Sequence, residues 1–150
     1  MSSAAAARAE IGSRSLELAR VLLVESDVAS RLTLQTLLRA SGYAVDVAAS
    51  AAEAVGKMDT STYELVLTDP NIETRETGRG ILAYARRKDY KPATAIIHAH
   101  RDGNAREYSK NPKMLVETED VTTFLGKVAE LISLRATRRS GRALRMSANN

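Results

Sequence analysis

The chain contains no cysteine, which excludes a disulfide framework and all thiol chemistry. It also lacks any apolar stretch approaching the roughly 20 residues needed to span a bilayer. Its alanine-rich start, Met1–Ala9, has no basic opening followed by a leucine-rich core, so the secretory signal pattern is missing. No internal repeat is present. Serine, histidine and acidic residues form no triad that their spacing can place. These absences predict a soluble, cytoplasmic protein with no membrane insertion.

What is there suits one folded domain: 150 residues, 44% of them hydrophobic, are enough to bury a substantial core. The net charge of +4 is unevenly spread. Residues 135–150 hold Arg135, Arg138, Arg139, Arg142 and Arg145 and no acid, so the remaining chain is close to neutral. Three regions follow: an N-terminal extension over 1–19, a folded domain over 20–134, and a basic tail over 135–150. The tail has no apolar periodicity to bury and reads as a solvated, disordered end, with binding of nucleic acid as an alternative use.

From Arg20 onward, short apolar runs alternate with helical periods. Val21–Val24 reads as a buried strand, followed by Val28, Leu32, Leu34, Leu37 and Leu38 at helical spacing and by Gly42 where a cap belongs. Tyr43–Val47 is a second strand. Ser50 and Glu53 form a capping box ahead of a helix over Ala51–Met58. Glu64–Thr68 is a third strand, ended by Asp69 and Pro70, because proline cannot continue a ladder. A loop over Pro70–Gly78 then leads to a helix over Arg79–Asp89 and a strand over Ala93–His98. The polar segment Arg101–Pro112 allows one short helix. Lys113–Val116 is a fifth strand, and Asp120 caps a last helix with Val121, Phe124, Leu125, Val128, Leu131 and Ile132 on one stripe, ending near Leu134.

Strands alternating with helices imply βαβ units, a parallel sheet and helices on both faces. The expected fold is α/β, with a doubly wound five-stranded parallel sheet in the flavodoxin-like order 2-1-3-4-5. That order sets the first and third strands side by side, so the acids that end them, Glu25 and Asp69, meet at the carboxyl edge where such sheets place their chemistry. His98 and His100 share one strand face but have no evident third ligand, so they read as histidines at a solvent edge.

Val21-Leu22-Leu23-Val24-Glu25-Ser26-Asp27, Tyr63-Glu64-Leu65-Val66-Leu67-Thr68-Asp69 and Gly78 resemble the receiver domain of bacterial response regulators over about residues 20–134. The resemblance implies that Asp69 accepts a phosphoryl group from a histidine kinase or phosphotransfer protein. It implies that Glu25, Asp69 and the backbone carbonyl of Asn71 hold Mg²⁺, and that the output is a downstream protein target. A homodimer is compatible with the family.

The sequence departs from the family at four positions. Ser26 stands where a second metal-binding acid is usual, with Asp27 one residue further on. Ala99 aligns with the hydroxyl residue that closes strand four, and Glu117 replaces the lysine that closes strand five. Lys110 and Lys113 lie too early to substitute for it. Weak or absent Mg²⁺ binding follows, and a glutamate beside Asp69 would disfavour an anionic phosphoryl group. The reading is a receiver of two-component phosphorelay signalling, an interaction module with no enzymatic activity. The alternatives are a pseudo-receiver that docks a partner without phosphorylation and, less favoured, a nucleic-acid binder acting through the tail. No glycine-rich phosphate loop follows the first strand, which argues against a flavodoxin-like enzyme.

Overall fold

A computed structural model describes residues 18–98 and 115–148. Its strands are β1 (Arg20–Val24), β2 (Ala44–Ala48), β3 (Leu65–Thr68), β4 (Ala93–His98) and β5 (Leu115–Glu117). Its helices are α1 (Val28–Ala40), α2 (Ala51–Thr60), α3 (Arg75–Arg87) and α4 (Val121–Ala148). All strand pairs are parallel and the order is β2-β1-β3-β4-β5, as the alternation predicts.

Alternate residues of the central strands serve opposite faces, the period-two rule of extended chain. Val21, Leu23, Leu65 and Leu67 pack with Leu34 and Leu38 of α1 and with Phe124 and Val128 of α4. Leu22, Val24 and Val66 pack on the other face with Ala54 and Met58 of α2 and Ile81 and Ala85 of α3. The strands are buried on both faces, which is why they read as unbroken apolar runs rather than alternating ones.

Local chemistry fixes the element ends. Ser50 caps α2 by accepting a hydrogen bond from the Glu53 amide, while Glu53 reaches back to accept from the Ala49 amide, one residue before the expected capping-box partner. After α1, Gly42 sits at φ 100 and donates to the Arg39 carbonyl, and the Tyr43 amide donates to Leu38. A residue with a Cβ would be strained there.

Most element boundaries differ from expectation, β1, β3 and α2 by only one or two residues. β2 runs from Ala44 to Ala48, displaced by one residue toward the C-terminus, and β5, described from Leu115, ends at Glu117, one residue beyond Val116. α3 begins at Arg75, a full turn before Arg79, because Thr74 caps it by accepting from the Thr77 amide. The short helix expected within Arg101–Pro112 falls outside the described residues, as do Ala99, His100, Lys110 and Lys113.

The basic tail is helical rather than disordered. No break occurs near Leu134; α4 continues through Ala148. Arginine and alanine are good helix formers, and the extension is tied down by backbone acceptors far away in sequence. Arg135 donates through Nε to the Lys91 carbonyl at 3.0 Å and through Nη2 to the Tyr90 carbonyl at 2.7 Å, and Arg139 donates to Tyr90 at 3.0 Å. Arg135→Ala should therefore lower the unfolding free energy by about 1 kcal/mol, since it removes two hydrogen bonds, of which the one to the Tyr90 carbonyl is partly buried. Arg145→Ala, at an exposed position, should change it far less. Chemical denaturation of the two variants checks this, and equal effects would contradict it.

Candidate functional site

The register of β1 against β3 pairs Val24 with Thr68, so the next residue of each chain segment, Glu25 and Asp69, emerges at one edge. The Asp69 amide donates to the Val24 carbonyl at 2.8 Å and the Glu25 amide to Ala48 at 2.9 Å, which carries the sheet one residue beyond its strands. Asp69 Oδ1 accepts from the Asn71 amide at 3.1 Å. That turn, with buried Pro70, leaves the aspartate half-exposed at the mouth of a cleft of about 220 Å³.

The cleft is lined by Glu25, Ser30, Asp69, His98 and Thr118, with Leu34, Pro70 and Ile97 supplying apolar wall. Glu25 is only 8% exposed, and among the described residues its Oε2 is buried without a hydrogen-bond partner. Its carboxyl is pushed well above the usual range, to about 8. Burial is the main cause, followed by a hydrogen bond to Asp69 and the negative charges of Asp69 and Asp27; the Ser26 amide opposes them. Near neutral pH, without a cation, Glu25 therefore keeps its proton.

This arrangement fits a divalent cation. Two adjoining carboxyl groups, one with an orphaned buried oxygen, form an incomplete oxygen cage of the kind Mg²⁺ shares with water and phosphate. Glu25 and Asp69 would hold the ion, with the Asn71 carbonyl in the position the resemblance assigns. The set is sparse. Ser26 is exposed. Asp27 is occupied as the N-cap of α1, accepting from the Ser30 amide at 2.9 Å, and that bond holds its carboxyl below the usual range. Among the described residues, no cluster of three or more His, Cys, Asp or Glu side chains is placed to hold a metal.

At the strand-four and strand-five positions the structure departs from the sequence reading. Ala99 lies outside the described residues, and His98 ends β4 and lines the cleft. His98 is 7% exposed, not a solvent-edge histidine, because β5 covers it in the register His98 to Glu117. Glu117 itself is exposed and does not line the cleft. The next residue, Thr118, lines it instead, with its amide donating to the His98 carbonyl at 3.2 Å. Repulsion of a bound anion by Glu117 is accordingly weaker than its place in the sequence implied. Sequence reasoning overlooked His98 and Thr118 as cleft residues. The signal for them was that each stands at or just past the end of an apolar run, as Glu25 and Asp69 do.

The profile described as the response regulator receiver domain matches residues 21–114, and the chain belongs to that family. No curated protein sequence matches it significantly. Among solved structures it is similar to a response regulator from Chloroflexus aurantiacus, at 19% identity and TM-score 0.65 over 77% of this chain and 98% of that one. It is also similar to the chemotaxis response regulator CheY4 of Vibrio cholerae, at 18% identity and TM-score 0.64 over 75% and 98% of the two chains. A third is the anti-anti-sigma factor PhyR from Bartonella quintana, at 16% identity and TM-score 0.68, covering 91% of this chain and 56% of that longer one. These likenesses establish the flavodoxin-like receiver fold, and membership places the domain in two-component signalling. Receiver domains are in general non-enzymatic and bind Mg²⁺ at the acidic pocket.

Proposed function

We propose that the domain accepts a phosphoryl group on Asp69 through a sparse cation site, and so slowly, and that it signals by docking a protein target. The observation that carries this reading is the cleft itself: a half-exposed aspartate shares a space of about 220 Å³ with Ser30, His98 and Thr118, residues whose side chains can hydrogen-bond. In the transfer, an Asp69 carboxylate oxygen bonds to phosphorus as the bond to the donor nitrogen of a phosphohistidine breaks, and that electron pair leaves with the imidazole. The histidine belongs to a kinase or phosphotransfer protein. Glu25 and Asp69 would hold Mg²⁺, which would supply neutralisation of charge on the phosphoryl oxygens. The imidazole of His98 and the hydroxyl of Thr118 take the places where the family uses a hydroxyl and a lysine. Donors aimed at developing charge are the main catalytic resource in such transfers.

His98→Ala and Thr118→Ala should each slow modification by a small-molecule phosphodonor, by about tenfold or more, whereas Glu117→Ala should leave the rate nearly unchanged. Equal effects at all three positions would refute the assignment of donors.

The outward Ser26 and the capped Asp27 argue for weak cation binding and support a second reading, a pseudo-receiver that docks its partner without modification. PhyR, named as an anti-anti-sigma factor, is consistent with an output through a protein partner, and either reading uses such an output. Magnesium titration followed by amide chemical shifts near Asp69 addresses the cation site. Affinity should be weak, should rise with pH as Glu25 gives up its proton, and should gain about tenfold on Ser26→Asp, from one added carboxylate contact. Tight binding by the unaltered protein that ignores pH would contradict it.

A further inference from the structure

At the opposite end of the sheet from the acidic cleft, the last helix forms a second cavity. β4 connects the two: His98 at its end lines the cleft, and Ala93 at its start lines the second cavity, about 16 Å away along extended chain. This cavity measures about 210 Å³ and is ringed by Arg86, Lys91, Arg135, Arg138, Arg139 and Arg142, with no carboxylate among the described residues of its lining. Its cations come from three directions: the end of α3, the turn before β4, and one face of α4. On α4 the spacing i, i+3, i+4, i+7 stacks four guanidinium groups over about 10 Å of helix.

The cations are positioned rather than loose. The bonds from Arg135 and Arg139 to the Tyr90 and Lys91 carbonyls fix two guanidinium groups at the wall, and Lys91 Nζ donates to the Arg86 carbonyl at 3.2 Å. Among the described residues, none of Lys91, Arg135, Arg138, Arg139 or Arg142 forms an ion pair with a carboxylate. The Arg135 guanidinium is held below its usual range by burial and by the charge of Arg139, with the charge of Glu64 opposing this. Convergent cations that repel one another and lack an acid partner are stabilised by a multiply charged anion.

We propose that this cavity binds a small ligand through a diphosphate or longer phosphate chain. Concavity favours that ligand over nucleic acid, because a duplex backbone is tracked by cations strung along an open face, whereas these surround one volume with Pro92 and Ala93 in its wall. Guanidinium groups match phosphate oxygens in bidentate geometry, and four of them within one cavity can saturate a diphosphate. The site is independent of the Asp69 chemistry.

The probe is inorganic pyrophosphate, titrated into the full chain by calorimetry in buffer free of divalent cations, so that the acidic cleft cannot take part. The expected result is saturable binding with one site per chain and amide shifts at Lys91 and Ala93. Arg138→Glu combined with Arg142→Glu should weaken it by about tenfold or more. Both residues are exposed, so the fold should tolerate the change; the milder pair Arg138→Ala and Arg142→Ala should weaken binding in the same direction. Arg145→Glu makes the same charge change outside the cavity lining and should leave affinity within about twofold. Absence of saturation would overturn the proposal, as would equal weakening by Arg145→Glu. So would duplex DNA binding more tightly than pyrophosphate with a steep salt dependence, which would assign the arginines to nucleic acid.

Discussion

Gly78→Val and Gly80→Ala should move stability in opposite directions although both lie in α3. A Cβ at Gly78 would meet the Pro70 carbonyl oxygen at 2.7 Å, its carbon at 3.2 Å and the Asp69 carbonyl oxygen at 3.3 Å. All three are backbone atoms and cannot swing aside. The helix here packs backbone to backbone on the residues just past Asp69. A single added methyl in such a place costs about 1–3 kcal/mol, and valine should exceed that and push the Asp69–Asn71 turn out of place. Cation and phosphodonor responses should fall along with stability. A Cβ at Gly80 meets nothing within 4 Å, so alanine there should add about 1 kcal/mol through helix propensity alone. Thermal unfolding of the two variants reads the signs directly. A neutral Gly78→Val would mean that α3 does not rest on the site.

The second large effect is a fall in stability as pH rises, the reverse of the usual carboxylate behaviour. The folded-state pKa of Glu25 is about 8 against an ordinary value of 4.5. The native state thus binds this proton more tightly than the unfolded chain does. Its contribution is complete below about pH 4.5 and is lost progressively as pH rises toward 8. Each pH unit separating the folded from the unfolded value corresponds to about 1.4 kcal/mol, so the loss is on the order of a few kcal/mol. Asp27 and Asp59, whose carboxyls are held low by hydrogen bonds, act with the opposite sign and only in acid. They stabilise above their ordinary 3.8 and lose that effect as pH falls through their folded values. Glu25→Gln should flatten the curve between about pH 5 and pH 8 and make the protein more stable at the upper end. Mg²⁺ should restore the unaltered protein at alkaline pH by mass action and do little for the glutamine variant. A melting temperature that climbs from about pH 5 to pH 8 in the unaltered protein would contradict the buried-proton account.

The strand order was legible because the apolar runs that end in Glu25 and Asp69 are buried on both faces, and only a parallel sheet with crossover helices accommodates them. The pairing of those two carboxyls followed directly. The start of α3 was not legible: Thr74 follows Pro70 and Asn71 in a segment whose composition reads as loop, and Glu73 sits at φ 59 just before the helix. Its cap is visible only once the Thr77 amide is in place. The continuation of α4 past Leu134 has helix-forming arginine and alanine but no apolar stripe to mark it. It depends on carbonyls at Tyr90 and Lys91, 44 to 49 positions away in sequence. His98 was misjudged because its burial comes from a neighbour, β5, whose short run ends in polar residues. At the cleft, residues at strand ends were readable as a group, but which of two successive residues turns inward, Glu117 or Thr118, was not.

The most direct test of the central claim is the mass of the intact protein after incubation with a small-molecule phosphodonor, with and without Mg²⁺, in the unaltered chain and in Asp69→Asn. The unaltered chain should gain one phosphoryl group slowly and with Mg²⁺ stimulation, the variant none, and Ser26→Asp should accelerate the reaction. Phosphorylation that persists in Asp69→Asn, or a Ser26→Asp protein that remains unmodified with Mg²⁺ bound, would contradict that claim.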